Sequence, residues 1–458
     1  MTNTITRNSQ NQTKSTAYIT SHESSSLSQA NTKIGYFIPE FPGQTHIFLW
    51  REYQALMELG MNAELISSRK PNKNVMSHSW SQEAENLTTY LFPLSLQDII
   101  DAALVIFKAG AAKWLKCIKI ALKAPNMSLK QKLYLIGLLP FSAKLVRCAS
   151  KQGWSHIHVT MCGKVADIAL FASVLGDLTY SLSQLGPSLT SYGPNQEQKW
   201  KYASFGIFQS HKLCQEAQVE LAQYLPNDIV VAPVGVNLDT IKRQTPYQPW
   251  NQAEPCKVYT CGRLNPVKGH IYVIEAIKIL RERGFDVRLQ ISGEDELGGR
   301  GYRQVVEQQI RENALTDYVE LLGAVSEERN RQAYEEAHIY AMGSLNETAG
   351  AVATMEAMAM AMPVVMTNVG ATSELIDDGV DGLLVAAQSS QEIADAIARL
   401  LLDPELAVNL GKNARRKISA KFHHRLSAAS IKKLVDTLLQ RSKSKHLSSS
   451  QTFESQLS

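Results

Sequence analysis

Two glycines and two cations share one short loop of the sequence, directly after a predicted strand. The loop runs from Gly262 to Gly269 and contains Arg263 and Lys268. Arginine can bind a phosphate through two parallel hydrogen bonds, and lysine can neutralise it as a point charge. Glycine lets the backbone approach such a ligand closely. The spacing therefore predicts a phosphate-binding loop, and the alternative is a surface turn with ordinary charges.

Two carboxylates, Glu347 and Glu356, flank the start of an Ala/Met-rich helix farther along the chain. The stretch that carries them, residues 343–382, continues into a short apolar strand and a turn at Gly370. The free N–H groups and positive dipole end of a helix start suit an anionic ligand. Because a carboxylate would repel a phosphate, we expect the two acids to bind hydroxyl groups of the same ligand. Together with the loop at Arg263, this predicts a sugar nucleotide.

These motifs resemble a known family. The loop reads G-R-L-x-x-x-K-G, and the later stretch reads E-A-M-A-M-A-M-P-V-V followed by V-G-A-T-S-E-L-I-x-D-G-x-x-G-L-L-V. They look like the retaining group 4 glycosyltransferases (group 1 superfamily) of the GT-B fold, and most like the exopolysaccharide-biosynthesis type. The resemblance covers roughly residues 33–420 and is stronger in the second half. It implies an α/β protein of two doubly wound Rossmann-like domains that face a central cleft.

The resemblance also implies roles for individual residues. Arg263 and Lys268 would hold the donor diphosphate, Glu356 the ribose and Glu347 the hexose, while the backbone from Gly323 to Val325 would meet the base. The donor-binding residues are then Gly262, Arg263, Lys268, Gly323, Val325, Glu347, Glu356 and Gly370, with Arg263, Lys268 and Glu347 as the catalytic group. The nucleotide-diphosphate sugar is a co-substrate, and no other cofactor is expected.

The spacing of the two glutamates departs from the family pattern. The family usually has seven residues between them, and here residues 348–355 make eight. Either the loop carries one extra residue and Glu347 still reaches the sugar, or Thr348 replaces the first acid. The insertion is favoured because loops accept insertions easily.

A second departure lies in the first half of the chain. Leu185 stands where the family has a histidine directly before Gly-Pro. Leucine can neither donate nor accept a hydrogen bond, so this contact to the sugar is absent or comes from elsewhere. Gln184 and His46 are the polar candidates to supply it.

The acidic run at residues 294–296 raises the question of a metal. Two acids around a middle residue could bind Mg²⁺ through a diphosphate. Its place after a predicted strand, beside Gly293, favours an ordinary loop between strand and helix. With Arg263 and Lys268 available to neutralise the diphosphate, we expect no metal ligands.

The first half begins with the elements that would form the acceptor side. A strand at residues 33–38, a loop at Gly43, a helix capped by Thr45 and a strand at residues 63–67 make a βαβ unit, which implies a parallel sheet. Folds of this kind bind ligands at the carboxyl edge of the sheet. We therefore expect Gly43, Thr45 and His46 to face the acceptor.

Length and composition divide the chain, because 458 residues are too many for one ordinary core. The predicted segments are a disordered N-terminal stretch (1–31), an acceptor-side domain (32–240), a linker with three prolines (241–255), a donor-binding domain (256–420), a helix that the resemblance implies crosses back to the first domain (421–440) and a disordered Ser-rich tail (441–458).

Several classes of protein are disfavoured. A formal net charge of +4 is small for this length and does not suggest a nucleic-acid partner. No G-x-G-x-x-G opens either domain, and no G-x-S-x-G occurs, which argues against dinucleotide-dependent dehydrogenases and common hydrolases. Six scattered cysteines are typical of reduced thiols in a cytosolic protein.

Residues 98–152 interleave apolar stripes with cations and have two interpretations. They are helices packed on the sheet with a solvated basic face, or they form a surface that sits on anionic lipid. No run approaches the ~18 apolar residues of a membrane-spanning helix. The expected location is cytoplasmic, with peripheral attachment to the inner face of the membrane on the second interpretation. The nine cations are Lys108, Lys113, Lys116, Lys119, Lys123, Lys130, Lys132, Lys144 and Arg147.

The resemblance implies a glycosyltransferase that moves a sugar from a nucleotide-diphosphate donor to a saccharide or lipid-linked saccharide, in exopolysaccharide or cell-envelope synthesis. The two departures leave an alternative open. The chain could be a catalytically impaired relative that binds a sugar nucleotide or regulates a partner enzyme.

Overall fold

The computed structural model describes residues 32–43, 45–71, 78–186, 188–295, 297–348 and 351–454, with the backbone alone at residue 443 and residues 445–454. The N-terminal stretch predicted to be disordered lies outside these residues.

The first domain is built on a parallel sheet of seven strands in the order β3-β2-β1-β4-β5-β6-β7. Strands are added outward on both sides of the first one, so the order reverses between β1 and β4, where such sheets open a crevice at their carboxyl ends. The strands are β1 (Lys33–Glu40), β2 (Asn62–Arg69), β3 (Thr89–Tyr90), β4 (His156–Val159), β5 (Thr179–Gln184), β6 (Gly206–Phe208) and β7 (Ile229–Val231).

Nine helices connect these strands in the described part of the first domain. Two of them begin with reciprocal capping hydrogen bonds, at Ser95 with Asp98 and at Ser128 with Gln131. The helices are α1 (Ile47–Glu58), α2 (Ser81–Leu87), α3 (Leu96–Ala109), α4 (Ala111–Leu122), α5 (Leu129–Ile136), α6 (Leu139–Gln152), α7 (Lys164–Gly176), α8 (Gln196–Tyr202) and α9 (His211–Leu221).

The start of α1 differs from the prediction. His46, not Thr45, is the N-cap residue, and no side chain caps the helix. The carbonyl of His46 accepts the N–H groups of Leu49 and Trp50, at 3.0 and 3.2 Å, while its own N–H bonds back to Gly43. The preceding turn therefore shifts the first helical residue by one, which leaves Thr45 exposed.

The stretch from Leu129 to Gln152 is long and apolar enough to cross a membrane by length and composition alone. In the structure it is divided into α5 and α6, and 44% of its most apolar 18-residue segment is buried. Leu139, Leu145 and Val146 of α6 belong to the core that also contains α7. These contacts are those of a helix packed inside a protein.

The second domain repeats the same plan on a parallel six-stranded sheet in the order β10-β9-β8-β11-β12-β13. Every residue of β11 and β12 is buried, as expected for strands covered on both faces. The strands are β8 (Cys256–Cys261), β9 (Val287–Ser292), β10 (Val319–Gly323), β11 (Ile339–Met342), β12 (Val364–Thr367) and β13 (Leu383–Val385). The helices are α10 (His270–Glu282), α11 (Tyr302–Glu312), α12 (Glu327–Glu336), α13 (Val352–Ala359), α14 (Thr372–Leu375), α15 (Ser390–Leu402) and α16 (Pro404–Lys421). Two doubly wound domains facing a cleft confirm the predicted fold class.

The chain passes between the domains twice, and the two crossings are hydrogen-bonded to each other. Val236 donates to the carbonyl of Phe422 at 2.8 Å, and His424 donates to the carbonyl of Val236 at 3.1 Å. A Cβ at Gly235 would lie 2.3 Å from the Phe422 oxygen, so only glycine allows this approach.

The last helix, α17 (His424–Glu454), packs on the first domain. Ala428, Ile431 and Val435 are buried in the same cluster as residues of β1 and α1. The disorder predicted after Arg441 is wrong as far as Glu454, because the helix continues. Ser442 and Ser444 donate to carbonyls four residues earlier, those of Leu438 and Gln440.

Candidate functional site

A cleft of about 500 Å³ lies between the carboxyl edges of the two sheets. Both domains line it, which is the usual place for a ligand in a two-domain α/β protein. The first domain contributes Thr45, Ile47, Phe48, Arg51, His78, Leu185 and Gln209, among others, and the second contributes Gly262, Arg263, Lys268, Val325, Asn330, Glu347, Thr348 and Glu356. Most of the predicted donor residues are thus brought to one place.

The Arg263–Lys268 loop is held tightly against the rest of its domain. The side chain of Asn265 accepts the N–H of Lys268 at 3.1 Å and closes the turn. Gly269 has a φ of +61°, and a Cβ there would lie 1.8 Å from the carbonyl oxygen of Gly343. The absence of a side chain at Gly269 therefore lets the loop pack directly against the backbone of the segment that leads to Glu347.

Glu347 lies in the cleft beside Lys268. Its carboxylate forms an ion pair with the Lys268 ammonium and accepts the hydroxyl of Ser344 at 2.7 Å. The residue is only 6% exposed. Gly370 does not line the cleft, and its part is indirect: with φ +61°, it allows the next N–H, that of Ala371, to bond the Glu347 carbonyl at 2.6 Å.

Glu356 lines the same cleft from α13, so the spacing of eight residues brings both acids to one cavity. Nη1 of Arg51, on α1 of the first domain, lies 2.8 Å from Oε1 of Glu356, an ion-pair separation without the alignment of a hydrogen bond. Asn330 donates to the other carboxylate oxygen at 3.4 Å. Sequence reasoning missed Arg51 and Asn330, because each occupies an ordinary position in an amphipathic helix.

The segment predicted to meet the base divides into two parts. Gly323 ends β10 with φ +69° and accepts the N–H of Gly293 at 2.8 Å, so it supports the cleft without lining it. Val325 lines the cleft directly. Ser326 follows as the N-cap of α12, and its hydroxyl accepts the N–H of Arg329 at 3.2 Å.

The predicted acceptor loop is only partly at the cleft. Thr45 lines it, whereas Gly43 and His46 do not. The ring of His46 stacks on Phe41 with 6.2 Å between centroids, and its Nδ1 would lie 2.8 Å from a Cβ at Gly43. Burial first, and then the charge of Arg263, lowers the pKa of His46 to about 4. The imidazole is therefore neutral at neutral pH.

Leu185 does line the cleft, so the missing histidine leaves an apolar side chain there. Gln184 is fully buried at the end of β5 and is not part of the lining. Neither of the two polar candidates is thus placed at the cleft surface. His78, which the sequence did not single out, does line it and stacks on Trp80 at 5.3 Å.

Glu294 and Asp295, which follow β9, form an ion pair and hydrogen bonds within their own loop and the helix after it. The carboxylate of Asp295 accepts four backbone N–H groups, of Leu297, Gly299, Gly301 and Arg303, at 2.9–3.0 Å. Burial alone would raise the pKa of the Asp295 carboxyl. The four backbone hydrogen bonds outweigh this effect, so the pKa lies below its usual value. Glu294 pairs with Arg303 at 2.6 Å, and Glu296 lies outside the described residues. Within the described ranges, no group of three or more His, Cys, Asp or Glu side chains could hold a metal ion.

Comparison with known sequences finds a family match in the second domain. Residues 248–417 match the family model described as glycosyl transferases group 1. The alpha-D-kanosaminyltransferase of Streptomyces kanamyceticus is 34% identical over 168 residues, 37% of this chain and 42% of that protein. The amylovoran biosynthesis glycosyltransferase AmsK of Erwinia amylovora is 28% identical over 190 residues, 40% of this chain and 46% of that protein. The chain thus spans about half the length of the curated relatives that it matches.

Solved structures of similar fold superpose on both domains of this chain. Anabaena HepE, solved in complex with UDP and glucose, superposes with a TM-score of 0.65 at 19% identity, over 88% of this chain and 99% of that one. At this identity the likeness shows the fold alone. The second domain therefore matches the group 1 glycosyl transferases in sequence, and the chain as a whole has the fold of the GT-B glycosyltransferases.

Proposed function

We propose that the protein is a retaining, metal-independent glycosyltransferase that transfers a hexose from a nucleotide-diphosphate sugar to a saccharide or lipid-linked saccharide. One observation carries the proposal. The two cations of the Gly262–Gly269 loop and the two acids of the 343–356 stretch, far apart in sequence, line one cleft. Cations suit the diphosphate and carboxylates suit the sugar hydroxyls, so the four charges match the two halves of such a donor.

The proposed chemistry uses this placement. In the proposed step, the acceptor hydroxyl attacks the anomeric carbon from the same face that the diphosphate leaves, so that the configuration is retained. The bond from that carbon to the diphosphate oxygen breaks, and the diphosphate leaves with the electron pair and takes up the hydroxyl proton. Arg263 and Lys268 stabilise the negative charge that builds on the leaving group, the kind of preorganised electrostatics that often supplies the largest catalytic contribution. Lys268 has three N–H donors, so its pair with Glu347 leaves two for phosphate.

The donor's other parts are assigned to neighbouring residues. Glu356 binds the ribose and Glu347 orients the hexose, while the backbone near Val325 meets the base. Closure of the first domain over the cleft excludes the water that would otherwise hydrolyse the donor. The relatives named for amylovoran and colanic acid biosynthesis support an exopolysaccharide acceptor, and UDP in the Anabaena structure supports a nucleotide-sugar donor.

A second candidate function is a catalytically impaired relative that binds a sugar nucleotide or regulates a partner. Leu185 in the cleft favours it, because that position offers no hydrogen bond to the sugar. The pair of Arg51 with Glu356 also favours it, because the carboxylate assigned to the ribose already has a cation beside it.

Incubation with a panel of nucleotide sugars and saccharide acceptors separates the two candidates. Release of a nucleoside diphosphate by the wild type, lost in Glu356→Ala and Lys268→Ala, supports the enzyme. Donor binding without turnover in every acceptor mixture favours the impaired relative.

We also propose that the protein is cytoplasmic and attaches to the inner face of an anionic membrane through helices α3–α5. Large apolar side chains at i, i+3, i+4, i+8 and i+11 are exposed along one side of α3, and lysines follow on α4 and α5. The exposed apolar residues are Leu96, Ile99, Ile100, Leu104, Phe107, Leu115, Leu122, Leu129, Leu133 and Tyr134. Such a surface gains both apolar burial and charge attraction on anionic lipid.

Not all nine cations of this region can contribute to that attraction. Lys113 pairs with Asp177, Lys144 with Asp98 and Arg147 with Asp101. The contribution to lipid binding is therefore assigned to the other six, which are Lys108, Lys116, Lys119, Lys123, Lys130 and Lys132.

A further inference from the structure

The N-terminus of α9, in the first domain, makes two polar contacts with the second domain. Ser210 is its N-cap, and its hydroxyl accepts the N–H of Leu213 at 3.2 Å. The same hydroxyl donates to the carbonyl oxygen of Thr348 at 2.8 Å. Ser210 is 2% exposed. A single buried side chain therefore both starts a helix of one domain and holds the backbone of the other.

The second contact is made by the carboxylate of Glu374, on α14. Its two oxygens accept the N–H groups of His211 and Lys212, at 2.7 and 2.8 Å. The first N–H groups of a helix have no partner within it, and a carboxylate there is stabilised by hydrogen bonds and by the helix dipole. The second domain thus supplies acceptors for two N–H groups that α9 cannot satisfy itself.

Both contacts act on the backbone around Glu347. Thr348 is its direct neighbour, so the bond from Ser210 to the Thr348 carbonyl holds the chain one residue beyond Glu347. On the other side, Gly370 and Ala371, which precede α14, contact the Glu347 carbonyl, with the Ala371 N–H bonded to it at 2.6 Å. Glu374 is four residues from Gly370 in the same short segment. The N-terminus of α9 is therefore connected to Glu347 in two ways, through the Thr348 carbonyl and through the segment that contains Ala371 and Glu374.

We propose that Ser210 and Glu374 are positioning residues that couple domain closure to the placement of Glu347. When the domains close, α9 docks its N-terminus on Glu374 and on the Thr348 carbonyl, and the Glu347 carboxylate is fixed beside Lys268. When they open, both contacts are lost, and the loop is held from the second domain alone. The segment of Glu347 is thus held from both domains only when the acceptor side is in place. This inference rests on the proposed function for its catalytic consequence, although the coupling itself does not.

The first measurement reports the coupling without any need for turnover. Hydrogen–deuterium exchange of the segment 343–348 is followed in the wild type and in Glu374→Ala, with and without UDP or GDP as probe. We expect faster exchange in this segment and in the first turn of α9 in the variant. Glu405→Gln, an exposed acid in the first turn of α16, is the matched control and leaves exchange unchanged. Unchanged exchange in Glu374→Ala overturns the proposal.

The second measurement tests the catalytic consequence. A catalytic group displaced by about 1 Å can cost about 100-fold in rate, so we expect Glu374→Ala to lower kcat about 10- to 100-fold with the donor KM changed less than about threefold. Ser210→Gly keeps a residue that caps helices almost as well as serine but removes the bond to Thr348, and kcat falls in it too. An unchanged kcat in both variants overturns the positioning role. If the wild type itself shows no transfer while the exchange result holds, the proposed function fails and the coupling stands.

Discussion

The guanidinium of Arg51, in the first domain, lies 2.8 Å from the carboxylate of Glu356, in the second, and both side chains are 7% exposed. The acid assigned to the ribose is thus paired across the cleft with a cation that belongs to the other domain. Since both charges are removed from water together, the pair depends on the domains being closed.

Loss of one partner of this pair is expected to open the cleft. Arg51→Met leaves the Glu356 carboxylate buried without its cation, which costs about 3–5 kcal/mol in a dry interior and less where water can enter. We expect the variant to have a larger radius of gyration in small-angle scattering and a lower Tm. The double variant Arg51→Met/Glu356→Gln recovers part of both changes. Full additivity of the two single changes would show that the residues do not interact.

The lysine of the phosphate loop is expected to act mainly on the chemical step. Lys268→Met removes charge stabilisation from the leaving diphosphate, and the loss of one such preorganised donor lowers kcat by about 100-fold or more. Lys268→Arg keeps the charge and retains part of the rate. Lys412→Met, an exposed lysine of α16, is the control for loss of a charge. The assignment of Lys268 is wrong if kcat stays within about twofold of the wild type.

His270 makes the stability of the second domain dependent on pH. It is fully buried at the start of α10, and neither ring nitrogen has a hydrogen-bond partner among the described residues. Burial first, and then the charge of Lys268, lowers its pKa from 6.5 to about 3. The unfolded chain therefore takes up this proton before the folded one as the pH falls. Its contribution to stability is complete above pH 6.5 and is lost progressively toward pH 3.

Replacement of this residue tests that contribution. In His270→Leu, the free energy of unfolding should fall less steeply with decreasing pH, by up to about 1.4 kcal/mol per pH unit. Because leucine has no polar atoms to bury, we expect the stability at pH 7 to be equal or higher. Urea denaturation at several pH values between 7 and 4.5 measures the slope. Identical slopes in the two proteins would contradict the expectation.

The proposed membrane surface predicts a defined loss of lipid binding. Phe107, 83% exposed on α3, should insert into vesicles that contain phosphatidylglycerol, and Phe107→Ser should weaken flotation with them. Val219→Ser changes an equally exposed residue, at 84%, outside α3–α5 and serves as the control. Added salt should reduce binding, because the lysine contribution is screened. No flotation of the wild type with either neutral or anionic vesicles would refute the surface.

The sequence predicts the second domain more fully than the first, for a physical reason. Arg263, Lys268 and Glu356 belong to loops or helices that directly follow buried strands, so their position along the chain already places them at the sheet edge. The placement of Arg51 and Glu374 depends on how one domain meets the other. Nothing in the local pattern of α1 or α14 distinguishes them from ordinary helix residues, so they could be found only in the folded chain.

The first and last residues of a helix can be predicted only where the residues that cap it are close to it in sequence. The caps at Ser95 and Ser128 have their partners, Asp98 and Gln131, three positions later, so their signal is local, although neither cap was predicted from the sequence. The start of α1 depends on the bond from His46 to Gly43. The Ser-rich composition after Arg441 is typical of disorder, whereas α17 continues to Glu454.

The paired crossings at Val236 and Phe422 have a consequence for motion. Two strands of chain that are hydrogen-bonded side by side resist both sliding and separation, so the domains can turn about one short axis and little else. An opening at the outer rim of the cleft is then largest farthest from this axis, and the contacts made by Arg51, Ser210 and Glu374 must break in an order set by their distances from it.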